Sequence, residues 1–342
     1  MKKYLLSAMA AAIAAVSANV ASAQEITMGL VGCCADTHIF FSDTTRVITD
    51  LAKQNGVTLH FDSARETEQD DVTLQRKLVM QMINEKKAKV VLVALAKGGR
   101  DAHKQLLNAV KPTGVPLVAF TRLSTPQLLK QYNNFYYVGS DAAQAGTYQG
   151  EMILEQYKKN PQWDKNKDGI IQYAIVKGPN GEDNAEKRTK WVESTMKGHP
   201  ELKINAERIA LVNADWLPQP AKEAVIKWID TGLIKDIEVI ISNNDGMTIG
   251  ILEAFKEKGI RDYPPIFSIE GLPNIVQEVI DGNVAGTVLL DRKLHSQVAY
   301  KIADNLARGK DPKDGLDDVQ FIGREVRIPH RKVDRSNANQ FK

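Results

Sequence analysis

The chain has 342 residues, of which 43% are hydrophobic and 25% are charged, and its formal net charge at pH 7 is +3. This near balance of charge gives no electrostatic reason to expect a nucleic-acid or membrane-surface partner, and the length suggests two domains of ordinary size. The only two cysteines, Cys33 and Cys34, are neighbours and cannot cross-link distant segments. They could close a ring in an oxidising compartment, but two reduced thiols at a strand end are the interpretation that we favour.

The first 23 residues have the pattern of a removable export signal. Lys2 and Lys3 precede an apolar run over 5–16, and the small residues at 21–23 form a cleavage site. The apolar run is too short to span a membrane. We therefore expect residues 1–23 to be a signal peptide and the mature chain to be exported and soluble.

Beyond the signal, apolar strands alternate with amphipathic helices. Predicted strands cover 26–32, 57–61, 89–95, 115–120, 135–138, 172–176, 209–212, 238–242, 265–269 and 287–290, with two short ones near Val319 and Val326. Predicted helices cover 40–54, the segment marked by Leu74, Leu78 and Met82, 101–110, 142–158, 185–197, 221–231, 247–258, 275–280 and 296–308. Repeated strand–helix units predict parallel sheets with right-handed crossovers, and roughly ten units are too many for one open sheet. The predicted fold class is therefore α/β with two Rossmann-like lobes.

Residues 164–172 have the spacing of a calcium-binding loop. Side-chain oxygens occupy loop positions 1, 3, 5 and 9, and position 7 offers a backbone carbonyl: Asp164, Asn166, Asp168, Gln172 and Ile170. Gly169 stands at position 6, where such a loop turns sharply, but position 12 is Ile175 instead of a bidentate Glu. Because Ca²⁺ takes six to eight oxygen ligands, a carboxylate must arrive from elsewhere in the fold. An Asx-rich solvated turn is the alternative; we favour a bound metal.

Polar residues follow several of the predicted strands. In open α/β sheets ligands bind beyond the carboxyl ends of the strands, so these positions are site candidates. They are the segment after Gly32, Thr121 with Arg122, the run 243–245, Glu270 and Asp291. Each by itself is more commonly a helix cap, whereas five in one geometric class indicate a cleft.

Six motifs, in this order and spacing, resemble the periplasmic galactose/glucose-binding proteins, which are type I sugar-binding proteins of ABC importers. They are the segments 136–141, 164–172, 185–189, 237–240, 243–245 and 285–289. The resemblance implies two lobes joined by a three-crossing hinge, with crossings near 139–141, 290–291 and 324–326. The N-terminal lobe would then be 25–139 plus 292–324, and the C-terminal lobe 140–290 plus 325–342. It also implies that Glu238 is the missing ligand of a structural Ca²⁺ ion.

The resemblance further implies a sugar site. Phe41 and Trp216 would stack on the two faces of the ring, because the C–H faces of a sugar pack on aromatic surfaces. Arg188 and Asn244 match the family's hydroxyl-binding residues. Other site positions differ from the family in residue type: Glu182, Asn184, Thr121, Glu270, and Leu290 next to Asp291. The excess of carboxylates predicts, as a hypothesis, a ligand with a cationic group such as an amino sugar.

The expected function is that of a periplasmic solute-binding protein that captures a monosaccharide and delivers it to an ABC importer, with a chemoreceptor as a further candidate partner. We expect a monomer, no nucleic acid and no enzymatic activity, since we find no nucleophile elbow, HExxH motif or phosphate loop. A periplasmic receptor for a non-nutrient signal on the same fold is the alternative.

Overall fold

The computed structural model describes residues 25–33, 39–65, 68, 71–96, 100–120, 126–198 and 205–342. The predicted signal peptide, Cys34, Thr121 and Arg122 lie outside these residues. Within the described segments, no helix combines the length and the apolar character needed to cross a bilayer.

The first lobe is built on a seven-stranded sheet. Its strands are β1 (Ile26–Cys33), β2 (Val57–Ala64), β3 (Val91–Ala94), β4 (Leu117–Phe120), β5 (Phe135–Ser140), β11 (Phe321–Ile322) and β12 (Glu325–Ile328). Their order is β11-β12-β5-β4-β3-β1-β2, and all neighbours are parallel except β11 and β12. Every residue of β3 is buried, as expected for a parallel strand that is covered on both faces.

Helices cover both faces of this sheet: α1 (Ile39–Gln54), α2 (Val72–Asn84), α3 (Arg100–Val110), α4 (Pro126–Leu129) and α10 (Arg292–Ala307). Residues of α1 and α10 share one apolar core with Leu30 and Leu92, whereas α2 and α3 share the other with Val91 and Val93. Successive strand residues thus pack into opposite apolar cores, as expected from the period-2 alternation of a pleated sheet. The late helix α10 therefore belongs to the first lobe.

The second lobe has a six-stranded sheet. Its strands are β6 (Ile170–Lys177), β7 (Asn205–Asn213), β8 (Val239–Ser242), β9 (Ile266–Glu270), β10 (Gly286–Leu290) and β13 (His330–Asp334), in the order β13-β10-β9-β8-β6-β7. Only β13 runs antiparallel to its neighbour. The helices of this lobe are α5 (Ala142–Lys159), α6 (Asp183–Lys197), α7 (Pro218–Asp230), α8 (Asp245–Glu257) and α9 (Pro273–Asp281). The predicted fold class, two α/β lobes, is confirmed.

Close contact between α5 and α6 fixes the backbone that carries Arg188. A Cβ atom on Gly146 would lie 2.5 Å from the Arg188 carbonyl oxygen, and one on Gly150 would lie 2.7 Å from Thr195 Cβ. The two glycines therefore permit an approach that a larger side chain would block.

The chain passes between the sheets after β5, after β10 and between β12 and β13. The last passage differs from the predicted crossing at 324–326, because Glu325–Ile328 pairs with β5 in the first sheet. Val326 and Ile328 are buried in the first-lobe core, which holds this strand there. The crossing falls at Pro329, which lacks the N–H that continued pairing would need. The structure also adds β13, a strand that the sequence pattern did not predict.

The cysteine prediction is wrong in its favoured form. Cys33, at the end of β1, is disulfide-bonded and 1% exposed. Cys34 is the chain's only other cysteine. Cys33 is therefore not the reduced thiol that the base rate favours.

Candidate functional site

Arg188 is the centre of a polar cluster at the carboxyl edge of the second sheet. Its Nη1 donates to the Asn243 carbonyl at 2.7 Å and lies 3.7 Å from Glu270 Oε1. Its guanidinium carbon lies 5.5 Å from the centroid of the Trp216 ring, within the range of a cation–π contact. The structure thus brings together three predicted site residues that are far apart in the sequence.

Some buried N–H groups of this cluster lack a hydrogen-bond partner among the described residues. Arg188 Nε, Asn243 Nδ2 and Asn244 Nδ2 have no hydrogen-bond partner within the described structure. Asn244 Oδ1 is occupied, because it accepts the Met247 N–H at 2.9 Å and caps α8. A buried donor left unpaired costs on the order of 1–3 kcal/mol. The cluster therefore suits a ligand that offers oxygen acceptors.

Trp216 is held by a strained backbone. Asp215 and Trp216 have φ angles of 51° and 69°, the left-handed region that non-glycine residues rarely adopt. The ring lies against Gly178, where any Cβ atom would collide with it. Two consecutive strained residues persist only where the surroundings enforce them, and such residues cluster at binding sites. The strain places a half-buried aromatic ring beside the Arg188 guanidinium.

Glu270 is also strained, and a buried aspartate holds the turn that follows it. The φ of Glu270 is 118°, and Asp245 Oδ2 accepts the Leu272 N–H at 2.5 Å. Asp245 Oδ1 accepts hydrogen bonds from the hydroxyls of Ser268 and Thr287. Burial, with a further contribution from the charge of Glu270, raises the pKa of Asp245 to about 7. Asp245 therefore positions Glu270 from behind the site.

Arg292, at the start of α10, extends from the first lobe to the second. Its Nη1 donates to the Glu270 carbonyl at 3.2 Å, and its Nε lies 3.8 Å from Asp43 Oδ2 in α1. Sequence reasoning missed both residues. The sequence does contain one indication of Arg292: a positive charge in the first turn of a helix is repelled by the helix dipole and is therefore unfavourable.

Glu182 and Asp291 act as helix caps. Glu182 Oε2 accepts the Ala185 N–H at 2.9 Å, and its Oε1 accepts from Asn184 Nδ2 at 3.1 Å. Asp291 Oδ1 accepts the Leu294 N–H at 2.9 Å. These local bonds use carboxylate oxygens of two predicted ligand-binding residues, so fewer of these oxygens are available to a cationic ligand.

Phe41 is buried, as phenylalanine commonly is. It is 7% exposed and belongs to the first-lobe core together with Phe120 and Leu290. Arg188 is equally buried at 7%, so this burial does not test the predicted pair of facing aromatic plates, and the ligand role of Phe41 stays a prediction. Thr121 lies outside the described residues, so its predicted role stays a prediction.

His330 is a further residue that the sequence analysis missed. It follows the Pro329 crossing, is 4% exposed, and its Nδ1 lies 3.2 Å from Gln144 Oε1. Burial, with the charge of Arg188 adding to it, lowers the pKa of His330 to about 3. A neutral imidazole thus stands near the arginine, and no sequence motif marks it.

The loop 164–172 is folded by bonds between its own side chains and backbone. Asp164 Oδ2 accepts the Gly169 N–H at 3.0 Å, Asn166 Oδ1 accepts the Asp168 N–H at 3.0 Å, and Asp168 Oδ1 accepts the Ile170 N–H at 2.7 Å. Gly169 has a φ of 74°, which is the left-handed turn expected at position 6. Both interpretations of the spacing, the calcium-type loop and the Asx-rich turn, fit these bonds.

Glu238 lies beside this loop. Its Oε1 accepts the Lys165 N–H at 2.7 Å, its Oε2 accepts from the Tyr157 hydroxyl at 2.8 Å, and the residue is 2% exposed. Gln172 Nε2 donates to Asp168 Oδ2 at 2.8 Å, while Gln172 Oε1 is buried without a partner. The described residues contain no group of three His, Cys, Asp or Glu that converges as metal ligands. A cation here would therefore depend on amide and carbonyl oxygens as well, which is the oxygen-rich donor set that Ca²⁺ prefers.

Comparison with known proteins adds to this geometry. The family model described as "Periplasmic binding protein domain" matches residues 28–311. The chain is 38% identical, over 242 residues, to the D-galactose/methyl-galactoside binding periplasmic protein MglB of Haemophilus influenzae, covering 70% of this chain and 71% of that protein. It is 26% identical to the xylitol-binding protein of Mycolicibacterium smegmatis, over 86% of this chain and 81% of that protein.

Solved structures share the fold at low sequence identity. An ABC transporter periplasmic solute-binding protein from Actinobacillus succinogenes with bound D-allose superposes with a TM-score of 0.75 at 18% identity, over 92% of this chain and all of that one. A solute-binding protein from Bacillus halodurans with bound myo-inositol gives 0.73 at 20% identity, over 93% of this chain and 97% of that one. The family match over most of its length, together with the two-lobe fold, shows that this chain belongs to the periplasmic binding protein family.

Proposed function

We propose that this protein is a periplasmic solute-binding protein that captures a neutral monosaccharide or polyol between its lobes and delivers it to an ABC importer. The observation that supports it best is the cluster around Arg188, whose guanidinium has an unpaired buried Nε–H and lies 5.5 Å from the centroid of the Trp216 ring. Sugar hydroxyl and ring oxygens would accept these donors, and the C–H face of the sugar would pack on the indole. The galactoside- and xylitol-binding names of the two relatives agree with this class of ligand.

A neutral ligand fits the charges of the cleft better than an amino sugar. Arg188 lies 3.7 Å from Glu270, and Arg292 lies 3.8 Å from Asp43, so the formal charges of these two pairs cancel. The unpartnered nitrogen atoms of Arg188, Asn243 and Asn244 are donors, whereas an ammonium group would need acceptors. The ligand would act by stabilising the closed arrangement of the two lobes, which transporter subunits would read. A chemoreceptor as second partner stays a prediction.

A structural Ca²⁺ ion in the loop 164–172 is part of the proposal. Asp164, Asn166, Asp168 and Gln172 with the Ile170 carbonyl would supply oxygens, and Glu238 would supply the carboxylate that the loop lacks. The buried, unpartnered Gln172 Oε1 supports this assignment. The ion would stabilise the second lobe, because it would join the α5–β6 connection to the strand β8 that follows Glu238.

Thermal melting and calorimetry of the purified protein test the ligand. We expect D-galactose, D-allose, xylitol or myo-inositol to raise the melting temperature, since a ligand of the native state shifts the unfolding equilibrium. D-Galactosamine should bind more weakly than D-galactose. Arg188→Met should abolish the shift, whereas Arg208→Met, which removes an exposed arginine of β7, should retain it. Absence of a shift with all four neutral compounds would contradict the proposed function.

A further inference from the structure

We infer that Arg292 is a ligand-binding residue of the first lobe and a determinant of specificity in the cleft. This inference rests on the proposed function, because it assigns a residue to the same ligand. It concerns a position that neither the sequence motifs nor the family resemblance singled out.

Arg292 lies between the two lobes. Helix α10 packs in the first-lobe core through Val298 and Ile302. Its first residue nevertheless donates to the carbonyl of Glu270, which ends β9 of the second sheet. Arg292 is thus a first-lobe side chain in direct contact with the second-lobe half of the site. A group in this place is suited to sense whether the lobes are closed.

Arg292 has N–H donors that the contacts within the described residues do not use. A guanidinium carries five N–H donors in a planar fork. The described structure uses one of them, at the Glu270 carbonyl, in addition to the ion pair with Asp43. The side chain is 12% exposed, so the remaining N–H groups are within reach of a molecule in the cleft. These donors can bind vicinal hydroxyl oxygens in a bidentate manner.

Two arginines approach Glu270, one from each lobe. Arg188 approaches its carboxylate from the second lobe, and Arg292 approaches its carbonyl from the first. The two guanidinium groups therefore flank one residue whose backbone is held at a φ of 118°. A polyhydroxy ligand at this place would be held by arginines from both lobes, which couples its binding to closure.

The helix dipole acts against a cation at the position of Arg292. Arg292 occupies the first turn of α10, where a positive charge is repelled by the helix dipole. Its neighbour Lys293 is exposed and can turn its charge into solvent. Arg292 instead points its charge towards Asp43 and Glu270. A ligand role explains why a cation is kept in the less favourable environment.

The test compares Arg292→Met with Lys293→Met, because both variants remove one cation from the same helical turn. The affinity for D-galactose, or for whichever of the four neutral compounds binds the wild type most tightly, is measured by calorimetry. We expect Arg292→Met to weaken binding about tenfold to hundredfold and Lys293→Met to change it less than twofold, because hydrogen bonds to a charged group are the stronger kind. Arg292→Lys, which keeps the charge but loses the fork, should fall between the two.

Small-angle X-ray scattering at saturating ligand gives a second measurement. Wild type and Lys293→Met should become more compact with ligand, and Arg292→Met should show less compaction. Melting of the ligand-free variants verifies that they fold; should Arg292→Met not fold, Arg292→Lys decides the question. Wild-type affinity and compaction in the Arg292 variants would overturn the inference alone. Failure of the wild type to bind any of the four compounds would overturn the proposed function and this inference with it.

Discussion

The loop 164–172 and the cluster around Arg188 differ in how their polar groups are assembled. In the loop, Asp164, Asn166 and Asp168 bond to backbone groups two to five residues away. In the cleft, Arg188 bonds to residues 55 positions away and more, and its neighbours Trp216 and Glu270 have strained backbones. A site made of local contacts can be recognised from spacing, whereas a site made of distant and strained residues depends on the whole fold.

The largest expected effect concerns the loop. Chelation of Ca²⁺ should lower the melting temperature of the wild type by about 10 °C, since an ion present at about a thousand times its Kd contributes about 4 kcal/mol. Scanning calorimetry with and without a calcium-selective chelator measures this. Glu238→Gln, which removes the one long-range ligand, should lose most of the response, and the exposed Glu253→Gln should retain it. Identical melting curves for the wild type under both conditions would rule out the metal.

The next effect tests the buried side of the cleft. The pKa of Asp245 is raised to about 7, so its contribution to stability is present at low pH and is lost as the pH rises through that value. Between pH 5 and pH 8 the free energy of unfolding should fall by about 2–3 kcal/mol through this group. Asp245→Asn should remove that decrease in urea denaturation, and the exposed Asp281→Asn should keep it. An unchanged pH dependence in Asp245→Asn would show that the carboxyl titrates normally.

A third prediction concerns the aromatic face of the site. Trp216→Ala should weaken binding of the neutral sugar by about 2 kcal/mol, or roughly thirtyfold, because it removes both the stacking surface and the cation–π partner of Arg188. Isothermal calorimetry measures the loss. Trp191→Ala, which removes a 41% exposed tryptophan of the same lobe, should bind as the wild type does. Equal losses in the two variants would argue against a specific role for Trp216.

The smallest expected effect isolates backbone strain. Glu270→Gly and Glu270→Ala both remove the carboxylate that pairs with Arg188, but only glycine adopts a φ of 118° without strain. The glycine variant should therefore be more stable than the alanine variant by about 1 kcal/mol, as measured by chemical denaturation. A less stable glycine variant would indicate that the backbone at Glu270 is not strained in solution.

Much of the fold was accessible from the sequence because its signals are local. The predicted helix over 142–158 and the observed Ala142–Lys159 differ by one residue, since the apolar period and the Asp141 cap both mark its start. The boundary at 324 was misplaced because the alternation around Val326 does not say which of two sheets will accept the strand. The ligand role of Phe41 stays a prediction for a similar reason: an aromatic residue at a helix start has the same pattern whether it faces a core or a cleft.

The sequence by itself determined the two-lobe α/β architecture and the calcium-type spacing of residues 164–172, because periodicity and short spacing are properties of neighbouring residues. Its six motifs also carried the resemblance to the family. Only the tertiary structure decided that Arg188, Trp216, Glu270 and Arg292 meet, and that Glu182 and Asp291 cap helices. Their meeting depends on the order of parallel strands and on left-handed backbone at Trp216, which are set by packing across the whole lobe. The identity of the ligand depends on the tertiary structure, because the groups that contact a ligand are distant from one another in the sequence.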